Sequence, residues 1–290
     1  MKHVICYSGG HSSAICAIEC VRKYGKENVV LLNHNISPKV ESQDVKRFKD
    51  EVADYLGLPI TYANHHNWEQ ATPISVCVDA KAWKVGNGQI LCTNRLKTAP
   101  FKKWLADNDK EKSGFYVYGF DLNEPTRITR RSQIMGIDGY KTEFPILWKE
   151  RTINHVSEIG VKPPNEYEKF KHANCIGCLK AGWQHWYIVF LERQDIWEEA
   201  KQAEKVIGYA LHKDNNGPVY LEDKEELFNS MKLAGVVGTE LISPARFWTD
   251  AKKAAAIYNE TKAAELANIP LCQLDMFAEH DNGVCNDCIA

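Results

Sequence analysis

A glycine pair flanked by serines lies close to the start of the chain, between an apolar strand-like segment and a helix-like segment. Two adjacent glycines let the backbone turn tightly and bring its N–H groups close to a ligand. A helix that begins there presents unpaired N–H groups and the positive end of its dipole. The pattern predicts a phosphate-binding loop in which Ser12 or Ser13 also caps the helix; an ordinary turn between strand and helix is the alternative. The candidate ligand-binding residues are Tyr7, Ser8, Gly9, Gly10, His11, Ser12 and Ser13.

A basic segment over residues 92–100 offers positive charge near the start of a predicted helix. Arg95 and Lys97 lie within it, and Lys102 and Lys103 follow. A lysine in this position would neutralise charge on a bound phosphate, which makes Lys97 a candidate catalytic residue. A solvated basic helix face is the alternative interpretation.

A second basic segment covers residues 119–131. If it is helical, Arg127 shares a face with Arg130 and Arg131, at spacings of three and four residues. Guanidinium groups arranged in this way form a clamp for phosphate or sulfate, because each offers forked donors. Glu124 either orients an arginine or holds Mg²⁺. The candidate catalytic residues here are Glu124, Arg127 and Arg130, and a surface ion-pair network is the alternative.

Two Cys-x-x-Cys pairs are candidates for a metal site. Cys175 and Cys178 form the first pair, and Cys285 and Cys288 form the second. Four thiolates suit a structural zinc or an iron–sulfur cluster, and a metal here would hold the end of the chain against the preceding domain. A redox dithiol at one pair is the alternative. The other cysteines in apolar contexts are predicted core residues: Cys6, Cys16, Cys20 and Cys77.

Strand-like and helix-like segments alternate over the first half of the chain, which predicts a mostly parallel α/β sheet. The carboxyl ends of parallel strands form one edge, where ligands bind. Asn33 follows a predicted strand and Gly119 ends one, so both are expected at that edge beside the glycine loop. From about residue 183 the pattern is helical, and the predicted domains are residues 1–170 and 171–290. The predicted strands are 3–7, 29–32, 60–62 and 114–119, and the predicted helices are 40–56, 92–105, 184–211, 222–233 and 244–266.

The bulk composition narrows the class of protein. The formal net charge is −2, so no strong field indicates a nucleic-acid or membrane partner. No apolar stretch approaches the length of a transmembrane helix, and no signal peptide is evident. Ten cysteines without a secretory signal predict a cytoplasmic protein with buried thiols, metal ligands or redox groups.

Five segments, in order along the chain, also resemble those of a known family. They are Ser8 to Ser13, Cys92 to Pro100 with Lys97, Gly119 with Glu124 and Arg127, residues 144–160, and Tyr167 with Cys175 and Cys178. Together they resemble the pyrophosphate loop, the Lys-x-x-Pro segment, the Glu…Arg segment and the Tyr and Cys-pair segments of the adenine-nucleotide alpha-hydrolase (PP-loop) superfamily. Within that superfamily the chain is similar to the phosphoadenosine phosphosulfate reductase-like group.

The resemblance implies a Rossmann-like, mostly parallel sheet of the adenine-nucleotide alpha-hydrolase type with a helical C-terminal part. It implies ATP or another adenine nucleotide as ligand, with Mg²⁺, and an ATP pyrophosphatase that adenylylates an unidentified acceptor for sulfur or amine transfer. A sulfonucleotide reductase that releases sulfite, and a catalytically silent nucleotide-binding protein, are the alternatives. The implied partners are a sulfur donor or a thioredoxin-like protein, and the chain is compatible with an oligomer.

Two departures from the family pattern bear on these expectations. Ser12 stands where the loop usually has Asp, and so supplies no carboxylate for Mg²⁺. Thr93 stands where iron–sulfur reductases have a second adjacent cysteine, which leaves Cys92, Cys175 and Cys178 as one potential ligand set and the two Cys-x-x-Cys pairs as another.

Overall fold

A five-stranded sheet forms the centre of the fold. The computed structural model describes residues 1–86, 88–173 and 175–267. All four strand pairings within the sheet are parallel, which confirms the predicted Rossmann-like α/β class. The strand order is β3-β2-β1-β4-β5. The strands are His3–Cys6 (β1), Val29–Asn33 (β2), Ile60–Tyr62 (β3), Phe115–Val117 (β4) and Lys141–Glu143 (β5).

The order of the strands reverses at β1. His3 of this strand pairs with Val29 of β2 on one side and with Phe115 of β4 on the other. The chain therefore builds outward from β1 through β2 to β3, and then returns to the opposite side for β4 and β5. In open α/β sheets a ligand crevice forms beyond the carboxyl ends of the strands at such a reversal.

Helices connect the strands and make up most of the remaining described chain. A turn of π-helix, Asn94–Thr98, joins α4 to α5. The helices are His11–Tyr24 (α1), Gln43–Leu56 (α2), Ser75–Asp79 (α3), Leu91–Thr93 (α4), Ala99–Asn108 (α5), Pro125–Ile137 (α6), Trp183–Glu192 (α7), Gln194–Ile207 (α8), Glu225–Leu233 (α9) and Pro244–Ala267 (α10).

The hydrophobic core lies in two layers, one on each face of the sheet. Ile5 of β1 packs with α1 and with Phe48 of α2 on one face. The neighbouring Val4 points the other way and packs with Tyr116 and with Leu105 of α5. This alternation follows from the two-residue period of a strand.

Several elements differ from the sequence prediction. The helix expected at 40–56 begins only at Gln43, because Ser42 caps it by accepting a hydrogen bond from the Asp44 N–H at 3.0 Å. The single helix expected at 184–211 is two helices, broken where Arg193 adopts φ −136° and ψ 64°. Residues 212–219, for which no strand is predicted, form a hairpin of His212–Asp214 (β6) with Gly217–Val219 (β7). Short strands such as these carry too few residues for a periodic signal.

The chain forms two compact units. Residues 1–221 together with 239–241 form the first, and 222–238 together with the chain from 242 onward form the second. Residue 170, where the sequence predicted a domain boundary, lies inside the first unit. In the described part of the second unit, Phe228 of α9 stacks on Trp248 of α10 with ring centroids 6.3 Å apart. Across residues 1–86, 88–173 and 175–267, no helix is long and apolar enough to span a membrane.

Candidate functional site

The loops that follow β1 and β4 touch each other at the strand-order reversal. Gly119 lies just beyond β4, and a Cβ atom at this position would approach the Ser12 carbonyl carbon to 2.8 Å. A contact this close to backbone atoms excludes any side chain at position 119. Gly119 therefore lets the end of β4 pack against the first turn of α1, at the predicted edge.

The glycine loop has a geometry that other residues cannot adopt without strain. Gly9 has φ +79°, and a Cβ there would lie 2.7 Å from the side chain of Lys49. Gly10 is the N-cap residue of α1 in an extended conformation. The two glycines therefore have different roles: the first makes the turn and the second begins the helix.

The first turn of α1 keeps backbone donors available. No side chain caps this end, and the N–H groups of Ser12 and Ser13 have no acceptor within the helix. The prediction that Ser12 or Ser13 caps the helix is wrong. Ser13 lies inside the helix, and its hydroxyl instead donates to the Gly10 carbonyl at 2.8 Å, a local bond typical of serine. Ser8 Oγ lies 3.3 Å from Ser13 Oγ.

A tyrosine hydroxyl occupies the first backbone donor of the helix. The His11 N–H donates to Tyr167 Oη at 3.0 Å, and the backbone of Ala173 also approaches this oxygen. Burial raises the pKa of Tyr167, so the phenol stays neutral near pH 7. An uncharged oxygen therefore already accepts the hydrogen bond from this N–H.

Three of the predicted ligand-binding residues direct their side chains into the protein. Tyr7 is buried, and its hydroxyl donates to the Lys49 carbonyl at 3.0 Å. The buried Asn33 amide donates to the Tyr7 carbonyl. The His11 ring accepts from the Val156 N–H at 3.4 Å; burial, with His155 and Arg151 nearby, lowers its pKa to about 4. These side chains hold the loop in place.

Sequence reasoning missed a lysine beneath the loop. Lys49 is 1% exposed, and its ammonium lies 2.8 Å from Glu41 Oε1 and 3.4 Å from Asn33 Oδ1. Its aliphatic stem packs under Gly9. The sequence does contain a signal for this buried lysine, because Lys49 falls on the same helical face as the buried Val45 and Val52. A lysine on an apolar stripe needs a buried partner.

Lys97 lies close enough to two cysteines for its charge to act on them. It is exposed on the π-helix, and its charge acts on His34, Cys92 and Cys175. A π-helical turn shifts side chains out of the α-helical register and often occurs at functional sites. The structure therefore brings Lys97 and Cys175 together from segments far apart in sequence.

The first Cys-x-x-Cys pair lies on a turn that is fixed by hydrogen bonds. The Ile176 N–H donates to the Val40 carbonyl, in the loop after β2, at 2.8 Å. The buried His185 Nε2 accepts from the N–H groups of Gly177 and Cys178 at 3.1 and 3.2 Å. These bonds place the cysteine turn at the same edge of the sheet as the loop after β2.

Burial keeps two thiols of this region, Cys92 and Cys175, from acting as nucleophiles at rest. Burial, with Cys175 and Cys178 nearby, raises the pKa of Cys92 to about 11, although Lys97 opposes the shift. Burial likewise raises the pKa of Cys175. Both thiols are therefore protonated near pH 7 and need a metal or another cation to ionise.

A metal site is not complete in the part of the chain that the structure describes. Within residues 1–86, 88–173 and 175–267, no group of three or more His, Cys, Asp or Glu side chains is placed to hold a metal ion. Cys285 and Cys288, the other half of the predicted ligand set, lie outside the described residues. Zinc and an iron–sulfur cluster stay predictions.

The arginine segment is helical and forms α6. Glu124 pairs with Arg127 and accepts from the Asp121 N–H at 3.3 Å, so it orients this arginine. The Arg127 guanidinium lies 4.3 Å from the ring centroid of Phe120, and Arg131 lies 5.0 Å from that of Tyr118. Arg130 is exposed on the same helix.

Comparison with known proteins identifies no relative. No family model matches the chain, no curated protein matches it, and no solved structure matches it.

Proposed function

We propose that this chain is an adenine-nucleotide-binding PP-loop enzyme, which cleaves ATP to AMP and pyrophosphate while adenylylating an acceptor for sulfur or amine transfer. The observation that carries the proposal is the uncapped start of α1 at the strand-order reversal. Its glycine loop and free N–H groups form an anion site where α/β sheets bind nucleotides. The order of motifs along the chain supports the adenine-nucleotide alpha-hydrolase type within the Rossmann-like class.

Catalysis in this proposal is positioning and charge neutralisation. The N–H groups of Ser12 and Ser13 bind phosphate oxygens, and Lys97 and Arg127 stabilise the charge that develops as the α-phosphate is attacked. The acceptor atom forms a bond to the α-phosphorus, and the bond to pyrophosphate breaks. The loop from Tyr7 to Ser13 contains no carboxylate, and Glu124 is engaged by Arg127. Mg²⁺ therefore enters as part of the MgATP substrate.

A sulfonucleotide reductase is the second candidate. It is favoured by the closeness of Lys97 to Cys92 and Cys175, which suits a thiol that attacks a sulfate sulfur and releases sulfite. The raised thiol pKa values weigh against it, because a nucleophile must first ionise. The pyrophosphatase therefore ranks first.

Two assays on the purified protein separate these functions. With MgATP, we expect AMP and pyrophosphate; with phosphoadenosine phosphosulfate and reduced thioredoxin, a reductase would release sulfite. Lys97→Met should abolish pyrophosphate release, whereas Lys102→Met, an equally exposed lysine of α5, should retain it. Binding of ATP without turnover in either assay would indicate a silent nucleotide-binding protein. Failure to bind any adenine nucleotide would reject the proposal.

A further inference from the structure

A cavity lies beyond the carboxyl end of β3. Its volume is about 520 Å³, which falls within the range of small-molecule sites. No residue of the loop after β1 lines it. Ligand pockets are usually lined by apolar side chains, and this polar lining favours a hydrophilic ligand. The polar lining residues include His65, His66, Asn67, Gln70, Asp79 and Arg95.

One of two neighbouring histidines, His65, gives this cavity a defined hydrogen-bond donor. His65 Nδ1 accepts from the Asn67 N–H at 3.3 Å, which places the proton of the neutral ring on Nε2. The His66 ring lies against it, with centroids 4.2 Å apart. His65 therefore offers a fixed N–H donor to a ligand.

Arg95 supplies an uncompensated positive charge. It extends from the π-helix and is exposed. Among the described residues it forms no ion pair within 4.0 Å and no side-chain hydrogen bond. Burial, His66 and Arg95, in that order, lower the pKa of His65, consistent with a positive potential in the cavity. A guanidinium without an acid partner is suited to bind a carboxylate or a phosphate.

Asp79 adds a negative charge to the lining of the cavity, which therefore carries both signs of charge. It lines the same space as Arg95, yet the two form no ion pair among the described parts of the chain. A ligand that fits both must combine an oxyanion with a hydrogen-bond donor. Inorganic ions of either sign satisfy only one of them.

We propose that this cavity binds a small polar molecule that carries a phosphate or carboxylate group beside an amino or hydroxyl group. Arg95 and His65 hold the oxyanion, and Asp79 accepts from the amino or hydroxyl group. Identifying this molecule as the acceptor of the adenylyl group rests on the proposed function, whereas the oxyanion site does not.

Histidine side-chain NMR of the full-length protein tests the oxyanion half. Titration with inorganic phosphate should shift the His65 and His66 resonances saturably. Arg95→Gln should weaken this binding by about tenfold, because it removes a charge-assisted hydrogen bond. Lys102→Gln removes an equal charge outside the cavity and should change nothing. No saturable shift at either histidine, or equal weakening by both variants, would overturn the proposal.

A comparison of glycine with acetate tests whether Asp79 accepts a hydrogen bond from the amino group of the ligand. Glycine should bind more tightly than acetate in the native protein, and Asp79→Asn should remove the difference. Equal binding of the two in the native protein would refute the role of Asp79. Calorimetric titration of the native protein with ATP distinguishes this proposal from the proposed function. A phosphate-dependent histidine shift without ATP binding would reject only the nucleotide loop. Retained ATP binding without a phosphate shift rejects only this cavity.

Discussion

Ser12 lies in the first turn of α1, where its backbone carbonyl and Cβ pack against Gly119. In the proposed nucleotide loop, its hydroxyl stands where a carboxylate would serve Mg²⁺. Single side chains at the start of α1 should therefore control pyrophosphate release and nucleotide binding, and two substitutions test this.

Ser12→Asp should accelerate pyrophosphate release. The added carboxylate gives Mg²⁺ a protein ligand, and a negative charge is favourable at a helix N-terminus. We expect a rate increase of about tenfold, which corresponds to about 1.4 kcal/mol of the barrier. Single-turnover release of pyrophosphate measures it. Ser12→Asn has nearly the same shape without the charge, and an equal increase in that variant would contradict the explanation.

Tyr167→Phe should strengthen nucleotide binding. The native hydroxyl accepts the His11 N–H at 3.0 Å, so a phosphate must displace it. A typical hydrogen bond contributes roughly 0.5–1.5 kcal/mol, which predicts binding tighter by about two- to tenfold. Calorimetric titration with ATP measures the change, and the exposed Tyr209 provides the control as Tyr209→Phe. Weaker binding in Tyr167→Phe would show that the hydroxyl contacts the nucleotide itself.

At the scale of elements, the β6–β7 hairpin packs its first residue against α7. The His212 ring lies 4.3 Å from that of Trp183 and 6.1 Å from that of Trp186. Its buried Nε2 has no hydrogen-bond partner among the described residues. Burial lowers the pKa of His212 to about 4, so the folded protein keeps this ring neutral.

This burial predicts a loss of stability in acid. The unfolded chain binds a proton at His212 near pH 6.5 and the folded chain only near pH 4, so stability falls as pH drops between these values. The contribution is at most about 3 kcal/mol. His212→Phe keeps the aromatic contact and should flatten the pH dependence of the unfolding free energy, measured by urea denaturation. An unchanged slope between pH 6.5 and pH 4 would rule out His212 as a source.

At the scale of the whole molecule, the chain enters the second compact unit and then returns briefly to the first. Residues 239–241 form this returning segment. The Glu240 N–H donates to the Lys169 carbonyl at 2.7 Å. Its carboxylate accepts from the Lys171 N–H at 3.2 Å and lies 3.5 Å from His185 Nδ1. This segment therefore supports the histidine that holds the Cys-x-x-Cys turn.

Glu240→Ala should loosen that turn. It leaves the buried Nδ1 of His185 without its charged neighbour, which should lower the free energy of unfolding by about 1–3 kcal/mol. Cys175 and Cys178 should react faster with a disulfide reagent, because the turn opens more often. Glu168→Ala removes an exposed carboxylate and serves as the control. Unchanged thiol reactivity in Glu240→Ala would show that the turn does not depend on this segment.

The amino-acid sequence by itself determined the parallel α/β class and the glycine loop between β1 and α1. These follow from short-range signals, because apolar runs, glycine pairs and helical spacing act within one element. The burial of Lys49 was also predictable from local spacing, because this lysine lies on the apolar face of α2.

Only the tertiary structure decided which segments meet. Tyr167 reaches the His11 N–H across 156 residues, and Lys97 acts on Cys175 from a different element. His11, Asn33 and Tyr7 turn toward the protein for the same reason: their partners come from other segments. Such contacts depend on how helices pack on the sheet, and no local spacing encodes that packing.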